Sequence, residues 1–201
     1  MKSAFLLLST LLSLSAIGGV TIVSDFDDTI KRSNIPAGGL VMTGNSVLYK
    51  KAYRGIPTLY KAMEENATDL YVLSASPSAI KPFIKCTLAE YGIPYRRIFT
   101  RPVSALFSES KKMKYKINRI ESVMSDEDQL LLLGDNVEVD HDIYKTIKAK
   151  HPGKVADIYI RMVLNKDIPA DIVKFYTAFE IAANEYQKNR LTMEQVQDVA
   201  S

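Results

Sequence analysis

The stretch Val20-Thr21-Ile22-Val23-Ser24-Asp25-Phe26-Asp27-Asp28-Thr29 decides how the rest of the chain is read. A short apolar, mostly β-branched run gives way at once to acids. Such a run predicts a strand buried on both faces of a parallel sheet. In parallel α/β sheets, ligands bind beyond the carboxyl ends of the strands. Asp25 and Asp27, two residues apart at such an end, can both project into one crevice. Negative charge concentrated there calls for a cation, and oxygen ligands suit Mg²⁺.

Two further segments repeat the design. Leu130-Leu131-Leu132-Leu133 runs into Gly134-Asp135-Asn136-Val137-Glu138-Val139-Asp140, so Asp135 and Asp140 follow a second all-apolar strand. Leu70-Tyr71-Val72-Leu73 runs into Ser74-Ala75-Ser76-Pro77, which places hydroxyls after a third. A helix N-terminus is expected just beyond Pro77, where backbone N–H groups are a ready phosphate site. Ser76 is read equally as a cap for that helix and as a phosphate ligand. Lys111, Lys112, Lys114 and Lys116 precede the Leu130 strand. Acid, hydroxyl, lysine and acid, each beside a strand end and in that order, is far more specific than any one piece.

Arg97-Ile98-Phe99-Thr100 and Ala156-Asp157-Ile158-Tyr159-Ile160 are expected as further strands. Residues 57–65, 78–91, 114–124 and 142–150 have helix-compatible spacing. The alternation predicts an α/β fold: a three-layer, Rossmann-like sandwich on a mainly parallel sheet. Ile172, Phe175, Tyr176, Phe179 and Ala183 fall at helical spacing after Pro169, which predicts a C-terminal helix packed on the sheet. Thr192 and Gln195 fit a capping box for a last short helix.

Composition narrows the chemistry. The chain has 201 residues, 47% hydrophobic and 24% charged, with net charge +3, which argues for a folded core and against disorder. Cys86, His141 and His151 cannot assemble a zinc site, and one cysteine cannot close an intramolecular disulfide. Cys86 reads as a packing residue within a helix. The charge balance is too weak to argue for a nucleic-acid partner.

Residues 1–18 begin with Lys2 and an apolar run, then the small residues Ser13, Ser15, Ala16 and Gly18. This matches a secretory signal peptide, with cleavage after Ser15 or Gly18, and implies a secreted or periplasmic protein. A membrane-tethering segment is the alternative. Residues 19–201 carry no repeat or long linker and are read as one domain.

The order of these pieces resembles the haloacid dehalogenase superfamily of phosphatases. Asp25-Phe26-Asp27-Asp28-Thr29 matches its first motif, Ser74 its second, Lys116 its third, and Gly134-Asp135 with Asp140 its fourth. More narrowly, residues 20–163 resemble the actin-patch-associated phosphatidate phosphatase catalytic domain. That likeness is carried by residues 24–31, Tyr53-Arg54-Gly55-Ile56-Pro57, Ser74-Ala75-Ser76-Pro77, Tyr115-Lys116-Ile117, Gly134-Asp135 and Ile158-Tyr159-Ile160-Arg161.

The resemblance implies Asp25 as nucleophile and Asp27 as general acid, then base. It implies Mg²⁺ held by the Asp25 carboxylate, the Asp27 carbonyl and Asp135, with Asp140 orienting the metal's waters. Ser74 and Lys116 would contact the phosphate and offset charge. Asp28 reads as a solvated or turn acid, Thr29 as loop support, and Glu138 and His141 as neighbours of the fourth motif.

Only about 45 residues separate Thr29 from Ser74 and about 18 separate Lys116 from Asp135, so neither gap holds a full cap domain. Residues 31–45 are read as a flap or rim. An open site suits a lipid phosphate or a phosphoprotein better than a small sugar phosphate; the resemblance implies phosphatidate or a similar lipid phosphate, with possible peripheral membrane contact. The other readings are a different phosphomonoester or phosphoprotein, a receiver domain, and a non-catalytic phosphate-binding module. The Asp25/Asp27 pair argues against the receiver domain.

Overall fold

The computed structural model describes residues 19–33, 51–102 and 108–201. The proposed leader, 1–18, and residues 34–45 of the proposed flap lie outside the described residues. Six strands form one sheet: β1 (Val20–Ser24), β2 (Asp69–Pro77), β3 (Arg97–Arg101), β4 (Gln129–Asp135), β5 (Val155–Arg161) and β6 (Val173–Phe175). Their order is β3-β2-β1-β4-β5-β6, and every neighbouring pair is parallel. The chain builds outward from β1 to β3, then crosses back to β4. The gap between β2 and β4, above the end of β1, is therefore the switch point where an open parallel sheet takes its ligand.

Side chains sort by the two-residue period of a strand. Ile22, Val72, Leu131, Leu133 and Tyr159 enter one core, under α1 (Ile56–Glu64), α2 (Lys81–Glu90), α5 (Ala178–Gln187) and α6 (Met193–Ala200). Val23, Leu73, Leu130, Leu132, Ile158 and Ile160 enter the other, under α3 (Glu109–Glu121) and α4 (Asp140–Lys150). Ile22, Leu132 and Leu133 are completely buried, and each such side chain contributes about 1.5–3 kcal/mol. This is the expected three-layer α/β sandwich.

Gly55 sets the start of α1 from a left-handed conformation, φ 75°, with Pro57 in the first turn. A Cβ there would lie 2.9 Å from the Val199 carbonyl oxygen and 3.0 Å from the Ala178 Cβ. Glycine thus lets α1 begin against α5 and α6.

The C-terminal region departs from expectation. Residues 173–175 pair with β5, Tyr159 opposite Val173 and Arg161 opposite Phe175. The helix begins only at Ala178, where the Thr177 side chain and Glu180 form a capping box. Ile172 and Phe175 are buried, as their spacing suggested, but Phe175 belongs to the edge strand and Ile172 immediately precedes it. Tyr176 and Phe179 are exposed, and α5 buries Ala178, Ile181, Ala182 and Glu185 instead. Local helical spacing lost to an available strand edge and a strong cap. The box read from Thr192 and Gln195 is present at the start of α6. Cys86 is exposed on α2, so it is not a packing residue.

Candidate active site

β1 delivers Asp25 at the switch point, where its backbone N–H donates to the Leu133 carbonyl at 2.8 Å. That bond ties the residue to β4 and buries its carboxylate. Lys116, on the inner face of α3, is completely buried. Its Nζ donates to Asp25 Oδ1 at 2.7 Å and to Asp140 Oδ1 at 2.5 Å, with Glu138 Oε2 at 3.7 Å. Lys112, one turn earlier, pairs with Glu138. Among the four candidate lysines, these two face the acids.

Asp135 ends β4, and its Oδ1 accepts from the backbone N–H groups of Val137 and Glu138 at 2.7 and 3.2 Å. Asp140 opens α4 and packs onto Gly134. A Cβ on Gly134 would sit 2.7 Å from both Cβ and Oδ2 of Asp140. Glycine is therefore required for Asp140 to reach the site. Carboxylate oxygens of Asp25, Asp135 and Asp140 all lie within 4.8 Å of one another.

Asp27 faces differently. Its Oδ1 accepts from Ser33 Oγ at 2.7 Å, and its Oδ2 from Ser76 Oγ at 3.0 Å and more distantly from Ser74 Oγ at 3.5 Å. Ser74 Oγ also accepts from the Ser76 N–H at 3.0 Å. Ser76 therefore holds Asp27 rather than capping a helix. No side-chain cap closes the 3₁₀ turn (Ser78–Ile80) or α2 after it.

The electrostatics are lopsided. Burial pushes Asp25 well above the ordinary carboxylate value; Lys116 opposes this, while Asp140, Asp135 and Glu138 add to it. Burial, then Asp140, push Asp135 up to about 8. Burial works against the Lys116 ammonium, yet Asp140, Asp25 and Glu138 hold its pKa well above normal. One buried cation faces more acid than it can neutralise. Asp140 Oδ2, moreover, is buried with no hydrogen-bond partner. An all-oxygen set with surplus charge and an unbonded carboxylate oxygen fits a hard divalent cation such as Mg²⁺.

Other residues shape this site, some of them given no role from sequence. Asp28 is a turn acid, as read, but buried rather than solvated, at φ 52°, accepting from the Ser33 N–H at 2.8 Å. Thr29 supports the loop: its carbonyl accepts from Arg161 at 3.3 Å. The Arg161 guanidinium lies between the rings of Tyr53, 3.8 Å away, and Phe175, 4.6 Å away, and also donates to the Tyr176 carbonyl. The Asn136 side chain bonds the backbone of Val163 and Leu164, joining the loops after β4 and β5. Arg101, at the end of β3, is buried beside the site. Arg161 and Asn136 sit directly at strand ends, which is the signal that could have marked them.

The sequence model of the family described as "Phosphatidate phosphatase APP1, catalytic domain" matches residues 20–162. The chain belongs to this family. That span runs from β1 through β5 and contains Asp25, Asp27, Ser74, Lys116, Asp135 and Asp140. The chain is similar to the phosphatidate phosphatase APP1 of Saccharomyces cerevisiae, 27% identical over 163 residues, covering 76% of this chain and 28% of that protein. It is similar also to an uncharacterized Schizosaccharomyces pombe protein, 24% identical, covering 73% of this chain and 26% of that one. The chain thus spans about a quarter of the length of these curated relatives. Among solved structures, a chain of the Pnkp1/Rnl/Hen1 RNA repair complex aligns with TM-score 0.40 and 12% identity, over 79% of this chain and 42% of that one.

Proposed function

We propose that this chain is a metal-dependent phosphatase that hydrolyses a phosphomonoester, phosphatidate or a related lipid phosphate, through an aspartyl-phosphate on Asp25. The observation that carries the reading is the buried Asp25–Lys116–Asp140 chain with Asp135 alongside, set at the switch point of a parallel sheet. Membership of a phosphatidate phosphatase family supports the reaction class.

Asp25, Asp135 and Asp140 would hold Mg²⁺, with the Asp27 carbonyl as a further oxygen ligand. Bound there, the ion supplies charge neutralisation for the phosphoryl group. Lys116 fixes the Asp25 carboxylate through Oδ1, which orients its remaining oxygen for attack on phosphorus. The bond from phosphorus to the leaving oxygen breaks, and Asp27 donates the proton that oxygen needs. Asp27 then takes a proton from water, which attacks the aspartyl-phosphate and releases phosphate. Ser33, Ser74 and Ser76 keep the Asp27 carboxylate aimed, and Ser74 and Ser76 are in place to meet phosphate oxygens.

A lipid substrate would be met by the edge of the sheet. Val163 and Tyr176 follow the carboxyl ends of β5 and β6, on the edge that bears the site, and both are exposed. Such a rim suits peripheral contact with a membrane surface. Residues 1–18 are proposed as an export signal, to be tested by N-terminal sequencing of exported protein.

The central test separates the two aspartates. Turnover of phosphatidate micelles and soluble phosphomonoesters should need Mg²⁺ and stop with chelator. Asp25→Asn should abolish both turnover and phosphoenzyme. Asp27→Asn should lose roughly 10²–10⁴-fold in turnover. With an activated ester it should still gain one phosphoryl group by intact mass, then stall. Label on Ser74, or normal turnover by either variant, would rule out the mechanism.

A further inference from the structure

Arg101 is the last residue of β3, paired across the sheet with Pro77, the residue after Ser76. It therefore stands at the same carboxyl edge as the hydroxyls of β2, one strand further out. Its side chain is buried, with 7% of the residue exposed. Its Nε has no hydrogen-bond partner, and among the described residues the guanidinium makes no ion pair. The titratable groups whose charge it feels are Glu138 and Tyr115. Glu138 is already taken up by Lys112, with Lys116 3.7 Å away.

A buried cation without hydrogen bonds is unfavourable unless something completes it. The contrast with Arg161 is direct: that guanidinium is also buried, but it donates to two carbonyls and lies between two aromatic rings. Arg161 also leaves its Nε unbonded, but both of its terminal nitrogens are taken up by the fold. Those of Arg101 are not, among the described residues.

We propose that Arg101 is a substrate-binding residue, its guanidinium receiving the phosphate group from the β3 side of the site. A planar guanidinium matches two phosphate oxygens at once, and such charge-assisted pairs are strong. Lys116 and the divalent cation would serve the acid-rich centre, whereas Arg101 lies at its β3 side, close enough to Glu138 to act on its charge. An arriving phosphate dianion fills the donors that the fold leaves open. This rests on the phosphatase reading above and adds a ligand to it.

The test uses the full chain and two variants, Arg101→Gln and Arg101→Lys. For each, KM and kcat are measured on a soluble phosphomonoester with Mg²⁺, orthophosphate binding is followed by calorimetry, and Tm by thermal melting. Arg101→Gln should raise KM and weaken orthophosphate about tenfold or more, with kcat changed far less. Arg101→Lys should recover part of the loss. Arg101→Gln should melt at or above the native Tm, because an unpaired buried charge is removed. Unchanged KM and orthophosphate affinity would overturn the inference, as would a fall in the Tm of Arg101→Gln or a fall in kcat alone. If the native chain hydrolyses no phosphomonoester, the phosphatase reading fails, and the orthophosphate titration still decides whether Arg101 binds phosphate.

Discussion

Among the described residues, two clusters of buried charge are built on opposite plans. At the carboxyl edge of the sheet, Asp25, Asp135, Asp140 and the partly exposed Glu138 surround one buried lysine, and Asp140 Oδ2 has no partner. On the side of α5, Glu185 is equally buried but saturated. Arg190 donates to both of its oxygens, at 2.7 and 2.8 Å, and the Tyr159 hydroxyl donates to Oε1. Arg190 reaches on to Asp157 at 2.5 Å, and Lys188 pairs with the same acid. Two acids meet two bases there. The difference separates a strut from a binding site: the balanced cluster is complete by itself, and the unbalanced one is complete only with added positive charge.

The largest effect should follow from removing the only fully buried cation of the unbalanced cluster. Lys116→Met leaves Asp25, Asp135 and Asp140 facing each other without it. Chemical denaturation in chelator should show a loss on the order of 3–5 kcal/mol, and turnover should vanish. A variant that is as stable as the native chain would mean that the acids do not need this lysine.

Glu185→Gln breaks the balanced cluster instead. Arg190 keeps Asp157 but loses a buried carboxylate, so the cost should be about 3 kcal/mol. The two variants differ in what they do to the enzyme. Assayed well below its Tm, Glu185→Gln should keep kcat and KM within about twofold, because a strut is felt through stability and not through the reacting groups. A large kcat loss at full folding would show that the two edges are coupled.

Much of this was legible in the sequence, because the site sits where the strands end and the strands announce themselves. Leu130 to Leu133 and Val20 to Val23 are apolar on both faces, so their ends, and with them Asp25 and Asp135, could be placed from one dimension. Lys116 was readable less directly: α3 starts at Glu109, earlier than expected, and only its packing turns Lys116 inward and Lys111 and Lys114 outward. Arg101 and the strut were not legible. Glu185 and Arg190 look like ordinary members of a charged helix end, and nothing local says that Tyr159, 26 residues before Glu185, will meet them. The β6 edge was misread for a similar reason. Ile172, Phe175 and Phe179 satisfy helical spacing, but pairing with β5 is a long-range event that spacing does not encode.

The smallest effect has the opposite sign from the others, and it sharpens the comparison most. Burial and Asp140 push the Asp135 carboxyl up to about 8 in the metal-free protein, far above the ordinary aspartate value. A carboxyl whose folded pKa is raised favours folding only at low pH. Its contribution weakens as pH rises from about 4 towards 8, where the unfolded chain ionises freely and the folded chain resists. Asp135→Asn removes that penalty while keeping the oxygen that accepts from Val137 and Glu138. In chelator at pH 8 the variant should therefore be more stable than the native chain, by on the order of 2 kcal/mol once the coupling to neighbouring acids is allowed for. At pH 5 the gap should shrink. Saturating Mg²⁺ should reverse the order, since only the native chain gains binding free energy. Denaturation curves at the two pH values, with and without metal, read all of this. A variant less stable than the native chain in chelator at pH 8 would show that Asp135 is held as a strut, as Glu185 is, and not poised for a cation.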